Sequence, residues 1–306
     1  MFGKKLLRML VLFPVFISLF FISVLLASGQ RRGEKIEGPP PILKVELQLN
    51  KKQYLVGEPI WVNCKVSNIG DKPGKFYFEN VDALRITDSK AVAYQCSIAI
   101  ERVPFTIRPG QVVEKESDLL YYYGIPENKF KLYNYLPSEK YSIYYELSHC
   151  VGSETYKIYA KSPIDTFQVV EPGGDELKAL NLLRESNNLL MEKKTEQAIH
   201  KLDQLSKIFL TSNYLPLALF RKIIIYRIYF EDFDKAEALS YDLIKRLPTS
   251  REAIRAVEVI SAIYQNKKDK KGFWNAMNDL IKKYPDTDIS REAEKQLEQV
   301  KDKDFE

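Results

Sequence analysis

The hydrophobic rhythm of the chain changes once, near residue 173, and the change divides it into two regions. In Leu43-Lys-Val-Glu-Leu-Gln-Leu49 apolar and polar residues alternate strictly, the period of a half-buried strand. Ile60, Val62, Cys64 and Val66 alternate in the same way, which directs Cys64 towards a core. Turn formers in Asn68–Gly74 lead to a strand at Lys75–Phe78. Further strands are predicted over Ala91–Ile100, Val112–Leu120, Tyr141–Leu147, Thr155–Ala160 and Thr166–Val170, separated by turns such as Pro109-Gly110 and Leu136–Glu139. Short strands rich in β-branched and aromatic residues, with no helical period among them, predict an antiparallel β-sandwich over residues 43–172.

Glu171-Pro-Gly-Gly-Asp175 interrupts this pattern. Gly173-Gly174 reads as a flexible joint, with residues 173–175 as a hinge and Asp175 as an N-cap. From Glu176 onwards apolar residues such as Leu180, Leu183 and Leu190 recur at three- and four-residue steps, the period of a helix. Helix starts are predicted at Thr195, near Pro216, at Asp234 and at Ser250. The pattern also repeats. Ala198 and Leu205–Phe209 align with Ala236 and Leu243–Pro248, and these with Phe273 and Leu280–Pro285, while the helices Leu217–Phe230 and Arg251–Tyr264 lie between. A recurring helix pair that cannot cover its own apolar face predicts a helical repeat solenoid over residues 176–302. The fold class is therefore multidomain, an all-β sandwich followed by an all-α, right-handed solenoid.

The N-terminus carries a separate signal. Lys4, Lys5 and Arg8 precede an apolar run from Met9 to Ala27, and Ala27-Ser28-Gly29 offers the small residues that a signal peptidase reads. The run is also close to the ~20 residues that span a bilayer. Residues 1–29 are thus a signal peptide or an N-terminal anchor, and both readings export the remainder to the periplasm or the cell exterior. Residues 30–42, with Pro39, Pro40 and Pro41, form a linker.

Composition narrows the partners. Apolar residues are 45% and charged residues 28%, the values of an ordinary globular chain. Lys4, Lys5 and Arg8 are three of the 46 basic residues, which leaves 43 against 41 acidic ones. So even a balance gives no long-range pull on phosphate backbones, and nucleic acid is excluded as the expected partner. A membrane is expected only through the N-terminal segment. Cys64, Cys96 and Cys150 are an odd set with no CxxC spacing, which reads as buried thiols or as one disulfide, Cys96–Cys150.

Catalytic chemistry finds little footing, and no enzyme is expected. No GxSxG, P-loop or HExxH is present, and neither a cofactor nor a metal is expected. His149 and Cys150 are consecutive on a predicted strand, so their side chains point to opposite faces. His200 reads as solvent-facing, and Asp286-Thr-Asp288 as a turn with capping carboxylates. Aromatic residues are the better candidates for a binding surface, because they give large contact area at low entropic cost. Tyr121, Tyr122, Tyr226, Tyr229 and Trp274 are the candidate partner-binding residues.

Two resemblances add to these readings. Residues 176–300, through "DLIKRLP" and "DLIKKYPDT", resemble tetratricopeptide repeats of bacterial envelope proteins, although the first copy lacks the Pro after Phe209. The resemblance implies a scaffold whose helical groove holds a protein or peptide partner in the cell envelope. Tyr54–Val62 with Val66-Ser-Asn68 is similar to immunoglobulin-like domains of bacterial extracellular proteins and macroglobulins, and to a proteinase-inhibitor domain. That likeness implies the alternative function, a protease-inhibitor-like sandwich with the repeats as its attachment; the tyrosines crowded between Tyr121 and Tyr145 suggest carbohydrate or another ligand for the same sandwich.

Overall fold

The computed structural model describes residues 42–77, 84–91, 93–94, 104–122, 125–126, 134–151, 155–300 and 302–305. Strands occupy the first part and seven helices the second. The apolar run Met9–Ala27 and the Cys96 half of the expected disulfide lie outside the described residues, as do the side chains of His149 and Cys150.

Thirteen strands are described: β1 (Leu43–Leu49), β2 (Gln53–Leu55), β3 (Trp61–Asn68), β4 (Gly74–Tyr77), β5 (Leu84–Thr87), β6 (Ala93–Tyr94), β7 (Pro104–Ile107), β8 (Val112–Asp118), β9 (Ile125–Pro126), β10 (Asn134–Tyr135), β11 (Glu139–Val151), β12 (Thr155–Lys161) and β13 (Asp165–Val170). One sheet has the order β1-β3-β8 and a second the order β2-β13-β11-β5-β6, with β12 also on β11. β11 is long enough to pair with β13 through Glu139–Ile143 and with β12 through Glu146–Val151, with a register shift between Leu147 and Ser148. The expected antiparallel pairing holds with one exception, since β2 runs parallel to β13. The strand expected to continue to Leu120 stops at Asp118, and Leu119–Tyr122 form a single helical turn.

Alternation on β3 produces the predicted burial. Val62, Cys64 and Val66 are buried while the residues between them are not. They share one apolar cluster with Leu84 and Ile86 of β5, Tyr141, Ile143, Tyr145 and Leu147 of β11, and Phe167 and Val169 of β13. Tyr141 stacks on Phe167 at 5.3 Å, and Tyr54 meets the same ring edge-on at 5.8 Å. Both hydroxyls of this pair of tyrosines are satisfied: Tyr54 donates to Asn50 Oδ1 at 2.6 Å and Tyr141 to the Pro137 carbonyl at 2.9 Å. Gly57 sits at φ 80, the left-handed region that glycine adopts without steric cost, and lets the chain turn after β2.

The helices are α1 (Gly174–Met191), α2 (Thr195–Ile208), α3 (Leu215–Ile228), α4 (Phe233–Arg246), α5 (Arg251–Asn266), α6 (Lys270–Lys283) and α7 (Asp288–Gln299). Consecutive helices pack on each other, and α5 also packs on α3 and α7. Three pairs, α2/α3, α4/α5 and α6/α7, begin at 195, 233 and 270, the spacing at which the sequence repeats. A residue with positive φ lies two positions before each pair: Lys193 (61), Glu231 (54) and Lys268 (55).

Caps differ from expectation in detail. Asp175 lies in the first turn of α1, whose N-cap is Gly173, and Asp232 rather than Asp234 caps α4 by accepting from Lys235 N. Asp269 caps α6, Ser250 caps α5, and α7 is capped by the Thr287 hydroxyl in a reciprocal pair with Ser290, not by a carboxylate. A hydroxyl or carboxylate here satisfies an otherwise orphaned helical N–H.

Candidate partner-binding surface and the junction between the regions

The strand region meets the helical region at Tyr214, just before α3, and along α5. Tyr214, the residue before α3, donates its hydroxyl to the Val56 carbonyl at 2.6 Å, and Leu55 packs against the helical core. From α5, Arg251 pairs with Glu116 of β8 at 2.6 Å. Arg255, one turn further on, places its guanidinium 4.3 Å from the Phe220 ring of α3 and 6.0 Å from the Trp61 ring of β3. Asp288 of α7 approaches Arg251 at 3.9 Å. These contacts lie far from Gly173-Gly174 in sequence.

The junction is rich in ionisable groups, and burial governs them. Asp118, at the end of β8, has its carboxyl pushed up to about 6 by burial, against the pull of Arg255 and Arg221 and the hydrogen bonds from the Leu120 and Ile60 amides. Burial likewise raises Glu116, Glu252 and Glu258. It pushes Lys115 down to about 8, and the nearby Lys295 acts in the same direction. Two buried amide oxygens here, Asn63 Oδ1 of β3 and Gln296 Oε1 of α7, have no partner in the structure. Sequence pattern missed this cluster, because Trp61, Glu116 and Asp118 fall on the polar side of alternating strands and read as a solvent face.

The five aromatic residues chosen from sequence fall on three parts of the chain, the end of α3, α6 and the turn after β8. Tyr226 and Phe230 lie 5.5 Å apart at the C-terminal end of α3, beside the exposed Tyr229. Burial raises both tyrosine hydroxyls, at Tyr226 with help from Asp203 and Asp232. Trp274 belongs to α6, where it is exposed and meets Phe273 edge-on at 6.0 Å. Tyr121 and Tyr122 are placed in the helical turn after β8, and their side chains lie outside the described set.

The other candidates stay apart from any chemistry. His200 of α2 is exposed, as expected, and meets Gln204 at 3.2 Å. It lines an open groove of about 510 Å3 between α1 and α2 with Glu185, Glu192 and Lys201. Lys201 pairs with Glu185 at 2.6 Å and Glu192 with Lys194 at 2.7 Å. Cys64 is a free, buried thiol, pushed up to about 12 by burial and so held as the unreactive neutral form. Among the described residues no group of His, Cys, Asp and Glu is placed to hold a metal, and no helix is long and apolar enough to cross a membrane.

No family model and no curated protein matches the chain. Among solved structures, the sporulation control protein Spo0M of Bacillus subtilis is 15% identical over 48% of this chain and 55% of its own, with a TM-score of 0.25. A putative lipoprotein of the same organism, ycdA, is 14% identical over 53% of this chain and 46% of its own, at 0.23. The PapD-like domain of human CEP192 is 13% identical over 48% of this chain and 98% of its own, at 0.21. At these scores the likenesses establish neither a shared fold nor a shared activity.

Proposed function

We propose that the chain is an exported, non-catalytic scaffold that holds a peptide or protein of the cell envelope on its helical region. In this reading the strand region is an immunoglobulin-like sandwich and the helices form a right-handed, tetratricopeptide-like superhelix. The 38- and 37-residue spacing of α2, α4 and α6, each preceded by a left-handed residue, supports the repeat. The observation that carries the function is the junction. The strand region takes the side of the second helices through Tyr214, Arg251 and Arg255, which leaves the first helices α2, α4 and α6 for a partner. Trp274 on α6 supplies an exposed aromatic anchor of the kind that dominates binding energy, and Tyr229 and Phe230 stand exposed in the turn that leads into α4.

The test is a pull-down from envelope extract of the parent organism with the full chain as bait. Trp274→Ala and the double change Tyr229→Ala/Phe230→Ala are compared with the parent chain. Loss of the same captured protein in either variant, with unchanged far-ultraviolet dichroism, supports the reading. Undiminished capture by both variants, together with loss on substituting exposed residues of the strand region, overturns it and makes the sandwich the working part.

A further inference from the structure

Three large aliphatic side chains stand in water at one end of the β1-β3-β8 sheet. Ile42 is 62% exposed, Ile69 62% and Val112 49%. The backbone locks them together. Ile69 N donates to the Ile42 carbonyl at 2.9 Å, Asn68 N donates to the Gln111 carbonyl at 3.0 Å, and Val112 faces Ser67 across the β3–β8 ladder. Asn68 builds this end: its side-chain amide donates to the carbonyls of Lys72 (2.8 Å) and Ile107 (3.1 Å), and its Oδ1 accepts from Gly70 N (3.1 Å). Two exposed cations, Lys72 and Arg108, flank the aliphatic residues on the two turns that Asn68 joins, with the exposed anions Asp71 and, two residues along β8 from Val112, Glu114. Exposed aliphatic side chains held at one sheet end, with Lys72 and Arg108 at the margin, have the chemistry of an interfacial lipid contact.

The position of the patch names its occupant. β1 begins at Leu43, so this is the end at which the chain arrives from residues 28–41, and those follow the apolar run Met9–Ala27. A segment of that length reaches at most ~50 Å fully extended, and it contains Arg31, Arg32 and Lys35 with Glu34 and Glu37, Arg31 and Arg32 lying nearest the apolar run. We infer that residues 9–27 are retained as a membrane anchor and that the Ile42–Ile69–Val112 end of the strand region rests on the anionic lipid surface beside it. This deepens the proposed exported scaffold and takes the anchor reading of its N-terminus. Seated in this way, the Ile42 end of the β1-β3-β8 sheet meets the bilayer, and the helices lie towards the other end of the β3–β8 ladder, where Glu116 and Asp118 sit.

The test reconstitutes the full chain in vesicles containing anionic and brominated lipids, with Ile69→Trp as the probe and Ile208→Trp, exposed at the end of α2, as control. Emission of the parent chain, from Trp61 and Trp274, is subtracted. The expected result is a blue-shifted added emission at position 69 that brominated lipid quenches, reduced in the Lys72→Glu/Arg108→Glu background, with none of this at position 208. Equal, unquenched emission at both positions in a chain that stays vesicle-bound overturns the lipid contact while leaving the scaffold intact. A blue shift without quenching assigns the patch to a protein surface and also overturns it. Recovery of a chain from the parent organism that begins after Ala27, shown by its N-terminal peptide, overturns the anchor and the lipid contact together.

Discussion

Replacing Asp118 by Asn stabilises the protein at neutral pH. The carboxyl moves from 3.8 in the unfolded chain to about 6 in the fold, chiefly through burial at the junction. At about 1.4 kcal/mol for each tenfold change in proton affinity, this corresponds to about 3 kcal/mol of cost to the ionised form. Asp118 is only half-buried and faces Arg255 and Arg221, so solvent screening reduces the net figure to about 1–2 kcal/mol. The sign follows from linkage: a carboxyl raised in the fold binds its proton more tightly there, so folding is favoured below 3.8 and loses stability as pH rises from 3.8 to 6. Asn cannot ionise, keeps one acceptor for the Leu120 amide, and escapes that loss. The assay is urea denaturation of parent and variant at pH 4.5, 6.0 and 7.5, followed by circular dichroism. The expected difference is small at pH 4.5 and grows to about 1–2 kcal/mol in favour of Asn at pH 7.5. A variant less stable than the parent at pH 7.5 would refute the reasoning and make Asp118–Arg255 a net stabilising pair.

Three further changes probe the helical repeat and the junction. A methyl group at Gly272 would collide with the Asp269 carboxylate and the Tyr264 ring, so Gly272→Ala is expected to lower stability by about 1–3 kcal/mol in the same denaturation assay despite its better helix propensity. Lys268 occupies φ 55 in the turn before α6, and Lys268→Gly should raise stability by up to ~1 kcal/mol by relieving left-handed strain; no change or a loss would contradict this. Tyr214→Phe removes the hydroxyl that reaches the Val56 carbonyl and leaves that carbonyl unpaired, at a cost of about 1–3 kcal/mol. Because the bond bridges the two regions, its loss should speed amide exchange at Val56–Glu58 more than in α6, as measured by hydrogen–deuterium exchange.

What was legible in the sequence was whatever repeats with the period of an element. The alternation through Val62, Cys64 and Val66 gave a strand with a buried side, and the recurrence of Ala198, Ala236 and Phe273 marked helices that begin at 195, 233 and 270. Short strands were missed: Leu84–Thr87 and Pro104–Ile107 are four residues each, too brief for a period to register. Caps were misplaced by one or two positions, because Asp232 and Asp234 are equally plausible by composition and only backbone geometry selects Asp232. The junction was invisible for a deeper reason. Periodicity separates one side of an element from the other, but Trp61, Glu116, Arg251 and Arg255 meet across nearly 200 residues, and polar residues there look like any solvated face. Much the same holds for the aromatic candidates, whose spacing on separate helices says nothing about whether Tyr229 and Trp274 share a surface.

The parallel pairing of β2 with β13 also sets an order for folding. Tyr54 can find Val169 only after the whole strand region has been made, so this sheet closes at the end of a long loop. Each helix, by contrast, packs on the next one along the chain, and such local contacts form quickly. The helical region is therefore the faster folder although it is synthesised last. On refolding of the full-length chain, α5 is therefore expected to form before β8 docks, with Arg251 and Arg255 in place to receive Glu116 and Asp118.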